Sequence, residues 1–141
     1  MSDETAVLTA NRAFYRAFRA GDFTAMDALW ARTAPVACIH PGWIALLGRD
    51  AVMTSWRDIF HQPTPIACRA EQVLLLGDTA CVLCQEVLDG GDQAGSVLIA
   101  SNVFVRETGE WRLVHHQAGG VAAEALAPPA PAGGRAGGRL H

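Results

Sequence analysis

The chain has 141 residues, half of them apolar and fewer than a fifth charged, with a formal net charge of -3. That length suits one domain with a single core, and the composition excludes a disordered chain. The charge balance leaves no basic footprint for nucleic acid, and because all 11 basic residues are arginine, Schiff-base chemistry and a P-loop lysine are excluded as well.

The first residues, Met1-Ser2-Asp3-Glu4-Thr5, are acidic and lack the basic and apolar regions of a secretory signal. The apolar runs are only a few residues long, far short of the about 20 needed to span a bilayer. A soluble, cytoplasmic protein without a membrane partner is therefore expected. Cys38, Cys68, Cys81 and Cys84 then read as reduced, small hydrophobes. Cys81-Val-Leu-Cys84 spells C-x-x-C, but in a strand those positions face opposite ways, which suits neither zinc nor a redox dithiol.

Residues 4 to 20 read as a helix, with Val7, Leu8, Asn11, Phe14, Tyr15 and Phe18 at helical spacing and Arg12, Arg16 and Arg19 opposite. Gly21 is its stop, and Asp22 caps a second short helix carrying Phe23, Met26, Leu29 and Trp30. Val36 to His40 forms a short strand closed by Pro41-Gly42. A third helix opens at Gly48-Arg49-Asp50, buries Val52, Met53, Trp56, Ile59 and Phe60, and stops before Pro63.

From Ile66 the pattern changes to strands over 66 to 76, 79 to 88, 97 to 106 and 111 to 118, with a Gly77-Asp78 turn and a Gly-rich loop at 89 to 96. Helices followed by an antiparallel meander indicate an α+β domain with the helices on one sheet face. Residues 73 to 76 and 80 to 84 are apolar at nearly every position, so the other face is expected to meet a second copy in a homodimer. Residues 121 to 141, rich in Gly, Ala and Pro, read as a disordered tail beyond a domain of residues 1 to 120.

The last hairpin carries the clearest functional signal. With an even-length turn, either Thr108-Gly109 or Glu107 to Glu110, Arg106 lies opposite Trp111, Phe104 opposite Leu113 and Asn102 opposite His115. Asn102, Phe104, Trp111, Leu113, His115 and Gln117 then share one face, a wall of amides and a histidine among large apolar groups, as in a small-molecule pocket. His116 falls on the opposite face.

Asn11-Arg-Ala-Phe-Tyr15, Cys38-Ile-His-Pro-Gly-Trp43, Gly48-Arg-Asp-Ala-Val-Met-Thr-Ser-Trp-Arg-Asp-Ile-Phe60 and Trp111-Arg-Leu-Val-His-His-Gln117 follow one another in an order that resembles the SnoaL-like branch of the nuclear transport factor two-like superfamily. The resemblance spans about residues 4 to 120. It implies a cone-shaped, curved antiparallel sheet wrapped around a long N-terminal helix, with two further short helices, a cavity open at one end, and frequent homodimers. In ketosteroid-isomerase-like relatives the strand matching residues 36 to 40 ends in Asp-Pro, whose Asp is the general base. Here His40-Pro41 stands in that place.

His40 is thus a candidate proton acceptor, and Tyr15, the one tyrosine, a candidate oxyanion donor. The helix pattern does not decide whether Tyr15 or Phe14 points deeper. Glu86 has two readings: an ion pair with Arg69 across a Gly77-Asp78 turn, or a carboxyl facing the pocket. Trp43 and Trp56 are candidate ligand contacts. A His40, Glu86 and His115 metal site lacks close ligand spacing, so neither metal nor cofactor is expected.

Two functions remain open: a cofactor-free isomerase- or cyclase-type enzyme on an apolar carbonyl or cyclic ligand, and a non-catalytic dimeric domain for ligand binding or assembly.

Overall fold

The structure, a computed structural model, describes residues 1–88 and 96–126. The tail beyond Leu126 and the Gly-rich loop as far as Gly95 lie outside the described residues.

Helix α1 (Asp3–Ala20) forms where expected, because both ends are capped. The Ser2 side chain accepts from Thr5 N at 3.1 Å, Asp3 and Glu4 occupy the first turn, and Gly21 takes φ 65°, a left-handed value open to glycine. Asp22 caps α2 (Phe23–Leu29) by accepting from Ala25 N at 3.0 Å. The chain continues through β1 (Ala37–Ile39), β2 (Leu46–Leu47), α3 (Arg49–Ile59), β3 (Ile66–Leu76), β4 (Thr79–Leu88), β5 (Ser96–Glu107), β6 (Glu110–Gly120) and α4 (Ala123–Leu126).

Among the described residues the strands form one six-stranded curved sheet in the order β2-β1-β6-β5-β4-β3, and α1 packs on its inner face. The meander β3 to β6 is antiparallel as expected, whereas β1 joins β6 in parallel and β2 extends the sheet beyond it. The core joins Val7, Phe14 and Phe18 of α1 to Met26, Trp30, Val52 and Trp56 of the helical layer and Val82, Phe104 and Leu113 of the sheet.

Two β-bulges curve the sheet and reset which side chains face α1. In β3, Arg69 pairs with Gln85 and Gln72 with Leu83, so Ala70 and Glu71 together oppose Cys84. Ala70 takes φ 59° there. In β6, Leu113 pairs with Phe104 but His115 pairs with Val103, which leaves Val114 as the extra residue.

These bulges overturn one expectation and decide between the two readings of Glu86. Asn102 lies opposite His116, not His115, because the extra residue in β6 exchanges the faces of everything beyond it. Glu86 lies opposite Cys68, while Arg69 reaches Gln85 at 2.9 Å, so the Glu86–Arg69 ion pair does not form.

Candidate functional site

Glu86 is 1% exposed and faces inward from β4. The Tyr15 hydroxyl donates to its Oε2 at 2.6 Å, which answers the choice within α1: Tyr15 reaches the polar cluster, whereas Phe14 packs edge-on against Trp56. Asn102 Nδ2 donates to the Tyr15 oxygen at 3.1 Å and to Asn11 Oδ1 at 2.9 Å, and Asn102 Oδ1 accepts from His116 Nδ1 at 2.6 Å. His116 Nε2 lies 3.8 Å from Glu86 Oε2, closing a buried ring of Tyr15, Glu86, His116 and Asn102. Asn11 Nδ2 carries the chain outward to Glu71 Oε2 at 2.8 Å, and Arg12 clamps the same carboxylate at 3.0 Å.

Burial sets the electrostatics. The Glu86 carboxyl is pushed up to about 7 by desolvation, although the Tyr15 hydrogen bond pulls the other way. Desolvation lowers His116 to about 3, with His40 and His115 adding to the effect, and lowers His40 to about 4. The Tyr15 phenol is held far above its ordinary value by burial and by Glu86. At neutral pH both imidazoles are therefore neutral, and Glu86 is the group that exchanges a proton near 7.

A cavity of about 250 Å³ opens over this cluster. Glu86, His116 and His40 supply its polar wall, and Phe18, Ile66, Leu88, Leu98 and Trp43 its apolar one. His40 Nε2 lies 2.9 Å from Ser55 Oγ, and that hydroxyl donates its own proton to the Val52 carbonyl at 2.7 Å. The hydroxyl can then only accept from His40, so Nε2 carries the imidazole proton and Nδ1 the lone pair. Trp56 is wholly buried, edge-on to His40 with ring centroids 4.8 Å apart. Among the described residues no arginine pairs with Glu86, and no group of His, Cys, Asp or Glu converges closely enough to hold a metal ion.

A carboxyl raised toward neutrality by burial thus stands in a largely apolar recess, beside a phenol and two neutral imidazoles, where the curved sheet wraps α1. Over residues 7–123 the sequence matches the family model for the SnoaL-like domain. The chain belongs to the SnoaL-like domain family.

Solved structures share this architecture. A "putative dehydratase from the NTF2-like family" of Streptomyces avermitilis is 36% identical, with a TM-score of 0.77 over 86% of this chain and 97% of that one. A "putative calcium/calmodulin-dependent protein kinase type II association domain" of Thiobacillus denitrificans is 35% identical, with a TM-score of 0.74 over 82% of this chain and 94% of that one. The F-box protein SKIP8 of Arabidopsis thaliana is 30% identical over an alignment of 115 residues that covers 79% of this chain and 48% of that protein. The chain thus spans about half the length of that curated relative.

Within the SnoaL-like domain the expected site residues separate into groups. His40, Trp43 and Glu86 line the cavity; Tyr15 and Asn102 stand behind it in the polar ring; Phe104 and Trp56 are core. His115 and Gln117 do not belong to the site: past the Val114 bulge His115 pairs with Val103 on the outer face and Gln117 is exposed. His116 takes the place foreseen for His115. Ser55 and Glu71 carry no sequence sign of a place in the cluster, whereas Asn11 interrupts an apolar helical stripe, the sequence sign of a buried polar partner.

Proposed function

We propose that this SnoaL-like domain binds a small apolar ligand bearing a carbonyl and moves a proton on it without a cofactor, with Glu86 as the general base. The observation that carries this reading is the Glu86 carboxyl, buried on the cavity wall and raised to about 7, where a base is half ready and strongest for its availability. Tyr15 holds the carboxylate in place, and the apolar wall excludes water from the reacting carbon. His40, the residue standing where relatives carry Asp, is too weak a base at about 4 to compete with Glu86 near neutrality.

Deuterium exchange into a panel of small enolisable cyclic ketones tests this reading. Wild-type protein accelerates exchange, and Glu86→Gln loses about 10²- to 10⁴-fold of that acceleration, the usual size of a general-base effect. Equal rates in the two proteins would remove Glu86 from the role.

A second reading, dimeric assembly, has its own observation. Leu74, which is 49% exposed, and Ile99, 42% exposed, stand on the outer sheet face, where β3 and β5 leave apolar surface uncovered. A homodimer through that face would cover it, leaving the cavity on the opposite side unobstructed. Light scattering at micromolar concentration reads twice the chain mass on this view, and Leu74→Glu with Ile99→Glu returns it to one.

A further inference from the structure

The geometry points to Glu71, near the surface at the β3 bulge and outside the cavity, as a positioning residue that dictates which nitrogen of His116 presents a lone pair to the pocket. The relay between them has a fixed polarity. A carboxylate only accepts hydrogen bonds, so Glu71 obliges Asn11 to turn its Nδ2 outward, at 2.8 Å, and its Oδ1 inward. Asn11 Oδ1 in turn obliges Asn102 to offer Nδ2, at 2.9 Å, which leaves Asn102 Oδ1 for His116 Nδ1 at 2.6 Å. An oxygen facing Nδ1 requires the proton there. His116 Nε2 is then the bare nitrogen, and it is the one that lies 3.8 Å from Glu86 Oε2.

The far end of the relay has a second anchor while Glu86 is a carboxylate. Tyr15 then donates to Glu86, so its oxygen faces Asn102 as an acceptor and favours the same amide orientation. Once Glu86 has taken a proton, that anchor slackens, since a carboxylic acid both donates and accepts and Tyr15 is free to reverse. Glu71, clamped by Arg12 through two hydrogen bonds at 3.1 and 3.0 Å, still accepts, and the relay keeps its sense. His116 therefore faces the cavity as an acceptor throughout. It receives a ligand hydroxyl or amide N–H and does not donate to a ligand oxygen, which leaves oxyanion donation to other groups. This consequence for ligand choice rests on the proposed function above, but the tautomer itself is a property of the empty protein.

Full-length protein carrying ¹⁵N-histidine, without ligand, tests the relay through long-range proton–nitrogen correlation spectra, with His116 assigned by its loss in His116→Gln. Wild-type protein and Glu86→Gln, a stand-in for the protonated carboxyl, each show a single His116 form with Nδ1 protonated. In the Glu71→Gln/Glu86→Gln double variant Asn11 meets an amide of either polarity, and the ratio of Nδ1–H to Nε2–H falls about tenfold, the worth of one hydrogen bond. Arg12→Ala, which leaves the Glu71 carboxylate in place, changes nothing. Should the double variant not fold, Asn11→Leu with Glu86→Gln cuts the relay one step further in and is read the same way. An Nε2–H His116 in the wild type, or an unchanged ratio after the relay is cut, overturns the proposal. Failure of ketone exchange with the tautomer pattern intact overturns only the assignment of Glu86 as base.

Discussion

Tyr15 of α1 and Glu86 of β4, separated by 71 residues in sequence, are joined by a hydrogen bond of 2.6 Å between two buried side chains. The phenol stabilises the charged form of the carboxyl and so opposes the desolvation that raises it. In Tyr15→Phe that opposition vanishes, and Glu86 moves further above about 7. Hydrogen bonds to buried charges are worth about 1.5–3 kcal/mol, so Tyr15→Phe loses about 2 kcal/mol at pH 8, where Glu86 is ionised, and less at pH 5. Urea unfolding at the two pH values checks the difference. An equal loss at both would mean that the phenol serves packing alone.

Glu86 also leaves a signature in stability against pH. Its folded value of about 7 exceeds the ordinary 4.5, so the native protein holds a proton that the unfolded chain releases. The stability linked to that proton is fully present below 4.5 and is lost as pH rises through 7, a change of about 3 kcal/mol. His40 and His116 act in the opposite sense: held at about 4 and about 3, they contribute stability above 6.5 that is lost as pH falls. The wild type is therefore most stable between these two flanks, near pH 6.5 to 7. Glu86→Gln removes only the carboxyl, so its stability relative to wild type climbs by about 3 kcal/mol from pH 4.5 to 7.5. Denaturant titrations across that range read the climb directly, and a flat difference would deny that the carboxyl is raised.

The order of elements was legible in the sequence because helix ends carry local signals: Gly21 and Asp22 mark them by hydrogen bonds within a few residues. The meander was legible too, since Gly77-Asp78 and Thr108-Gly109 are two-residue turns that fix register at their own end of each hairpin. Register further along was not. A bulge adds one residue without any required residue type, and neither Ala70 nor Val114 announces one. Beyond each bulge parity reverses, which is why His115 and His116 exchanged faces while Phe104 and Leu113, on the turn side, kept theirs. The buried ring escaped for a related reason: Tyr15, Glu86, Asn102 and His116 meet only after α1 is laid across a sheet whose curvature those bulges create.

Ala70 is where the β3 bulge leaves its energetic mark. Its φ of 59° lies in the left-handed region, which costs a residue with a Cβ about 1–2 kcal/mol. Glycine removes that strain while giving back about 0.5–1 kcal/mol through the freer unfolded chain. Ala70→Gly is thus expected to raise the unfolding free energy by about 0.5 kcal/mol with His116 still facing inward. Thermal unfolding reports the gain. A clear loss of stability would show that Ala70 is held by contacts that outweigh its backbone strain.

The pH dependence of ketone exchange separates the two candidate bases without any substitution. A base must be deprotonated to act, so the rate rises with pH through its own titration and then levels. With Glu86 as the base the inflection lies near 7; with His40 it lies near 4, and the rate is already level at pH 6. Ser55→Ala strengthens the distinction. It strips the His40 Nε2–H of its acceptor, a buried loss of about 1–3 kcal/mol in stability, but touches no atom of Glu86 or Tyr15. The inflection near 7 is expected to survive Ser55→Ala and His40→Ala, each within about tenfold of the wild-type plateau, because neither change removes the proton acceptor. A profile that is level from pH 5 upward, or an inflection that disappears with His40, would move the base from β4 to the residue after β1.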